Sequence, residues 1–410
     1  MNVLFLSQIV PYPPHGGVLQ RGYNLLREIG RHARVQLLAY HHPDELPTAD
    51  AVERSRRALL EFCERVEYVP LWPKTSALHR AAALAVTACS SQPFSVIAHR
   101  SAAFRALIDD AIRRSRPDII HVDTVALSPF APPSSGVPRV LTHHNIESLL
   151  MARRAETEPG RLARAFLRRE AAKLRRYEAE TAPTFDLNVV VSANDAVELT
   201  RLAPGVPTAV VPNGVDVEYF APGNGPEQDT LVYTGGLNMF ANRDAVMNFL
   251  QEVWPLVTAQ RPSVRFYAVG QEPPAELTAF AARDSRVIVT GYVTDIRPLV
   301  REAAVYVVPL RVGGGTRLKV LDAMAMGKAL VSTSIGCEGI DVRPGEHLVV
   351  ADAAEDFARA TVALLGDATE RRRLGRAARE LVERRYAWPT VGKSLLDAYQ
   401  AAAQRRERVA

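Results

Sequence analysis

In the stretch VGGGTRLKVLDAMAMGKALVST, Val312 to Thr333, three consecutive glycines lead into a helical pattern that carries Arg317, Lys319 and Asp322. Gly313, Gly314 and Gly315 let backbone N–H groups approach a ligand closely, and the start of the following helix adds a positive dipole end. Arg317 and Lys319 add full charge, and a guanidinium suits bidentate contact with phosphate. Asp322, one and a half turns into the helix, can accept from two adjacent hydroxyls, as on a ribose. Together these types fit an anion joined to a polyol. The same spacing also fits a loop-to-helix turn with a solvated basic face.

Two further places could do chemistry. In PPHGGVLQRG, Gly16 and Gly17 sit between a first strand and a first helix, where a helix N-terminus can face a phosphate, with Arg21 one turn inside. A tight turn accounts for the glycines equally well. In THHNIES, His143 and His144 end a strand, and adjacent residues on extended backbone point to opposite sides, so at most one faces a ligand. No H-E-x-x-H and no D-x-D pair is present, so no metal is expected. The G-x-S-x-G elbow, the G-x-x-x-x-G-K-[ST] loop and the G-x-G-x-x-G spacing are all missing, which argues against a serine hydrolase, a P-loop NTPase and a dinucleotide enzyme.

These residues need elements to hold them. A chain of 410 residues is too long for one ordinary core, and two domains are expected. Continuous apolar runs mark buried strands: VLFL (3–6), VQLLAY (35–40), IIHV (119–122), RVLT (139–142), LNVVV (187–191) and TAVV (208–211). The Gly/Pro/Asn-rich segment 211–229 reads as a linker. The alternation then resumes with LVYTGG (231–236), VRFYAVG (264–270), VIVTGYV (287–293), VYVVPL (305–310) and ALVST (329–333). Strands alternating with helices imply parallel, doubly wound sheets, and so two Rossmann-like units whose strand ends would face each other across a cleft. The expected division is 1–212, 213–385, and a closing helical segment 386–410 that returns to the first domain. Three scattered cysteines imply free thiols in a reducing cytoplasm. The opening MNVLFLS enters a strand at once and shows no leader, and no apolar run reaches bilayer length; AAALAVTACS (81–90) is too short. From Arg153 to Arg176 there are nine Arg or Lys against three Glu, with apolar residues on one face, so a basic amphipathic helix is expected there. It fits a solvated surface helix or contact with anionic lipid. Nucleic acid is not expected, because no aromatic residues interleave with the charges.

The segment GYVTDIRPLVREAAVYVVPLRVGGGTRLKVLDAMAMGKALVSTSIGCEGI, together with HHNIES, VSANDA and VPNGVD, resembles the GT-B glycosyltransferases of the large retaining family 4, in particular bacterial sugar transferases of exopolysaccharide clusters. The resemblance covers essentially the whole chain. It implies a nucleotide-diphosphate sugar as co-substrate with no cofactor, a hydroxyl acceptor that is a glycan, a lipid-linked glycan or a small molecule, and a cytoplasmic place at the inner membrane face. It points Gly16 and Gly17 at donor phosphate and sugar, His144 at the donor sugar and diphosphate, Tyr292 and Val293 at the nucleobase, and Asp322 at the ribose. Gly235 and Gly236, after the first strand of the second half, and Thr316 in the glycine loop belong to the same expected donor site.

Two departures stand out. The first glutamate of the family's E-x7-E motif falls on Gly314, and Asp322 replaces the second. The Arg and Lys usual after the first strand of the second domain are missing from YTGGLNMFANRD, so Arg317 and Lys319 are expected to supply charge for the diphosphate instead. A sugar-nucleotide 2-epimerase and a catalytically silent nucleotide-sugar binder of a polysaccharide assembly are the alternatives.

Overall fold

A computed structural model describes residues 1–14, 16–223, 225–312 and 317–409. The chain divides into two compact units, Met1–Pro212 with the returning segment from Val391, and Asn213–Thr390.

The first unit holds a seven-stranded parallel sheet in the order β3-β2-β1-β4-β5-β6-β7. Its strands are β1 (Asn2–Ser7), β2 (Arg34–His41), β3 (Arg65–Pro70), β4 (Ile119–Val122), β5 (Arg139–His143), β6 (Leu187–Val190) and β7 (Thr208–Val210). β1 is central because Val3 to Leu6 are apolar on both faces, and β4 and β5 are buried along their whole length. The order reverses between β1 and β4, which makes their carboxyl ends the switch point where open α/β sheets take ligands. The second unit repeats the plan with six parallel strands, β10-β9-β8-β11-β12-β13. These are β8 (Gln228–Thr234), β9 (Arg265–Val269), β10 (Val287–Gly291), β11 (Ala303–Val308), β12 (Ala329–Ser332) and β13 (Val349–Val350). Its switch point lies between β8 and β11. Apolar clusters cover both faces of this sheet, one around Phe249, Trp254 and Phe266, the other around Tyr306, Leu321 and Met324.

The expected basic helix over 153–176 is corrected. It is two helices, Glu147–Thr157 and Arg161–Thr181, separated at Glu158-Pro159-Gly160. Proline lacks the N–H that would continue the first helix and biases the residue before it towards extended backbone, which Glu158 adopts with ψ 118°. Among the described residues no helix is long and apolar enough to cross a membrane.

Candidate functional site

The polar residues at the carboxyl end of β8 converge on Lys319. The Lys319 ammonium donates to the Tyr233 hydroxyl at 2.7 Å and to Asn242 Oδ1 at 2.9 Å, and lies 4.1 Å from the centre of the Tyr233 ring. Tyr233 itself donates to Asn242 Oδ1 at 2.7 Å, so one amide oxygen anchors both. The backbone is shaped to admit this cation. Gly235 has φ +152°, and a Cβ there would stand 2.5 Å from Lys319 Nζ. A Cβ on Gly270 would strike the Gly235 carbonyl at 1.8 Å, so both glycines serve close approach.

The ammonium is held by neutral oxygens. Burial pushes it down to about 7, Arg317 adds to the shift, and Asp322 opposes it. Asp322 is half-buried on the same helix, Leu318–Ala325, and burial pushes its carboxyl up to about 8 against the pull of Lys319. Arg317 is the N-cap residue of that helix, and its charge is felt by both Lys319 and Tyr233. Tyr306 of β11, bonded to Thr234 at 2.6 Å, completes the floor. Three of the expected residues, Arg317, Lys319 and Asp322, are therefore brought together, with Gly235 beside them. Gly236 follows, and its carbonyl accepts from Asn242 at 2.8 Å. Tyr292 lies just beyond β10 with its side chain 70% exposed, and Val293 packs half-buried on the apolar cluster below. Gly313, Gly314, Gly315 and Thr316 lie outside the described residues. Arg243, in the segment where the family's cations are missing, lies 3.7 Å from Glu276.

In the first unit the ends of β1, β4 and β5 present Ser7, Asp123 and the two histidines. The imidazoles part, as alternation on a strand requires. His143 is buried and bonded to Asn188 Oδ1 at 3.0 Å, with burial pushing it down to about 4. His144 turns the other way and sets Nε2 3.1 Å from Asp123 Oδ1. Burial alone would raise the Asp123 carboxyl, but the charge of His144 and bonds from His121 and His144 hold it well below the usual carboxylate range. Ser7 donates to its other oxygen at 3.4 Å. Behind this pair His121 stacks on Phe5 at 4.1 Å and meets Thr142 through Nε2 at 3.2 Å and Tyr399 through Nδ1 at 2.9 Å. Gly16 and Gly17 are exposed at the start of the first helix, Gly17–Gly30, and Gly16 has φ +88°. Arg21, fully buried, donates to the carbonyls of Val211 and Pro212 at 2.9 and 2.7 Å. The chain thus uses Arg21 to hold its own backbone.

Asp123, Tyr233, Asn242 and Tyr399 were not expected from sequence. Asp123 had a signal: a charged residue directly after the buried run IIHV must be held by something at the sheet's carboxyl edge. Among the described residues no group of three or more His, Cys, Asp or Glu is arranged to hold a metal ion.

The family model described as Glycosyltransferase Family 4 matches residues 15–219, and one described as Glycosyl transferases group 1 matches 228–367. The chain belongs to glycosyltransferase family 4. Its two Rossmann-like parallel-sheet units are the GT-B architecture. A phosphatidyl-myo-inositol mannosyltransferase of Mycobacterium tuberculosis is 29% identical over 214 residues, 49% of this chain and 56% of that protein. A protein named as an uncharacterized 44.6 kDa protein in the cps region of Klebsiella pneumoniae is 26% identical over 136 residues, 32% of this chain and 35% of that one. The matched stretch thus spans about half or less of these relatives' lengths. The solved structure of Anabaena HepE in complex with UDP superposes with a TM-score of 0.68 at 14% identity, covering 98% of this chain and 100% of that chain.

Proposed function

We propose that this family 4 protein transfers a sugar from a nucleotide-diphosphate donor to a hydroxyl acceptor, with retention at the anomeric carbon and without a metal. The observation that carries this reading is the Lys319 ammonium, fixed by Tyr233 and Asn242 at a glycine-lined strand end. The chemical need in such a transfer is to stabilise charge building on the departing diphosphate, and preorganised cations do so without reorganising as the bond breaks. Lys319 and Arg317 carry that charge in place of the cations missing after β8. Asp322, kept neutral near pH 7 by burial, both donates to and accepts from ribose hydroxyls. His144, oriented by Asp123, positions the sugar or shares its proton traffic. UDP in the Anabaena structure and the inositol lipid in the mycobacterial relative's name favour a uridine or similar diphosphate donor and a lipid-linked acceptor among those to be tried. The cps region of the Klebsiella relative favours a place in polysaccharide assembly.

A panel of UDP-, GDP- and TDP-sugars screened by thermal shift and calorimetry identifies the donor, and NMR of the product reads the anomeric configuration. Arg317→Ala and Lys319→Ala are each expected to lower turnover roughly a hundredfold or more while the protein stays folded. Near-normal turnover in both variants overturns the charge assignment.

A further inference from the structure

A surface helix normally turns its apolar stripe inward. The helix Ala77–Ala88 in the first unit does the reverse. Only Ala83 and Thr87 are buried, while Leu78 is 82% exposed, Leu84 42% and Val86 48%. Ala81, Ala82 and Ala85 share the outward side. The helix is nonetheless firmly placed. Ser76 accepts from His79 N–H at its start, and its last carbonyls, on Thr87 and Ala88, accept from Lys173 and Arg169 at 2.8 Å.

Arg169 and Lys173 lie on the Arg161–Thr181 helix, and Leu162 and Phe166 continue the same stripe toward its start at helical spacing. Leu162 is 90% exposed and Phe166 39%. The end of the first helix is thus tied to the second within two turns of Phe166, and both helices carry uncovered apolar residues. The charge around them has one sign. From Leu71 to Ile108 there is no Asp or Glu, whereas Lys74, Arg80, Arg100 and Arg105 occur there. On the neighbouring helix Arg161, Arg168 and Arg169 are exposed, and Glu170 is buried, bonded to Phe94 N–H and Lys173. Asp44 accepts from Lys74, and Glu156 and Glu158 precede the second helix in the chain.

We propose that this face docks on an anionic membrane leaflet, with Leu78, Leu84, Leu162 and Phe166 entering the acyl boundary and the arginines meeting headgroup phosphates. A second copy of the chain would bring the same arginines against each other, because a two-fold contact is self-facing, so charge complementarity selects lipid over self-association. This docking stands independently of the transfer reaction.

Co-sedimentation of the full chain with vesicles of phosphatidylcholine, alone or mixed with phosphatidylglycerol, tests it. Binding is expected with the mixed vesicles only, weakening as salt rises. L78E and L162E, both at exposed positions and so expected to leave the melting temperature unchanged, should each weaken binding on the order of tenfold, and both together should abolish it. R161Q with R168Q should weaken binding to anionic vesicles by a similar factor. Failure to bind mixed vesicles overturns the proposal, as does undiminished binding by the L78E/L162E protein. Light scattering that shows a dimer which L78E breaks also overturns it.

Discussion

Among single residues, Lys319 carries the sharpest electrostatic consequence. An ammonium pushed down to about 7 by burial is partly deprotonated at neutral pH before any anion arrives. A pyrophosphate within a few ångströms favours the charged form, so binding draws a proton onto Lys319 once the pH exceeds about 7. Asp322 acts in the same direction, because its carboxyl ionises through about 8 and then adds negative charge to the site. Affinity for a nucleoside diphosphate is therefore expected to be level below about 7 and to weaken steadily above it. Calorimetry with UDP and GDP, repeated in buffers of different ionisation enthalpy, measures both the affinity and the protons taken up. Lys319→Met should lose roughly tenfold to a hundredfold in affinity, and its proton uptake should shrink, leaving the Asp322 share. Uptake equal to that of the wild type would show that Lys319 is not the titrating group. Arg should not substitute for Lys319, because the ammonium sits where even a Cβ on Gly235 would approach within 2.5 Å.

At the scale of elements, the helix Glu147–Thr157 that follows His144 has no capping side chain of its own. Glu178, from the next helix, accepts from the N–H groups of Glu147 and Ser148 at 2.7 and 3.3 Å. Burial raises the Glu178 carboxyl from 4.5 to about 7, with the Ser148 bond opposing and Glu147 adding to the rise. The folded protein thus keeps this proton to higher pH than the unfolded chain does. Its contribution to stability is fully present below about 4.5 and is lost as the pH rises through about 7. Urea unfolding on both sides of that window should show a stability difference between wild type and Glu178→Gln that changes with pH, whereas a difference independent of pH would refute the assignment. Glu178→Ala should cost about 1–3 kcal/mol, since two buried N–H groups lose their acceptor. The strands of both sheets were legible in the sequence because most are unbroken apolar runs. β3 and β13 were not: Arg65–Pro70 alternates polar and apolar on a sheet edge, and Val349–Val350 is too short to make a pattern. The Pro159-Gly160 break was printed in the sequence, but basic residues recurring on both sides masked it. The outward face of Ala77–Ala88 could not be read at all, because in ALHRAAALAVTA small alanines surround the larger apolar residues on every side and do not say which side is inside.

The whole molecule brings together what no local pattern can. Lys319 and Asp322 were legible because they follow the three glycines closely in one short stretch of sequence, but Asp123 meets His144 across two strands, and Tyr399 meets His121 from 278 residues away. The chain leaves the first unit at Pro212 and returns at Val391, and the returning helix, Trp388–Val409, delivers Tyr399 to the back of the Asp123–His144 pair. Arg21 holds the departing backbone at Val211 and Pro212, and its charge is felt by Tyr399, which is buried and kept protonated far above the usual range for a phenol. A protonated phenol that donates to His121 Nδ1 leaves the histidine's proton on Nε2, facing Thr142 at 3.2 Å and Asp123 at 3.8 Å. That fixes the carboxylate from behind while His144 meets it from in front. Tyr399→Phe keeps the ring, which packs edge-on to His121 at 5.7 Å, and removes only the hydroxyl. It should cost about 1–2 kcal/mol of stability. Turnover should fall several-fold while donor affinity holds, because the proposed reading assigns the donor's charge to Lys319 and Arg317. NMR titration of the imidazoles separates this from simple loosening: the His121 ring, which burial holds below the usual imidazole range, should titrate at a different pH in Tyr399→Phe. An unchanged His121 titration together with unchanged turnover would mean that the returning helix only packs against the first unit and does not tune its site.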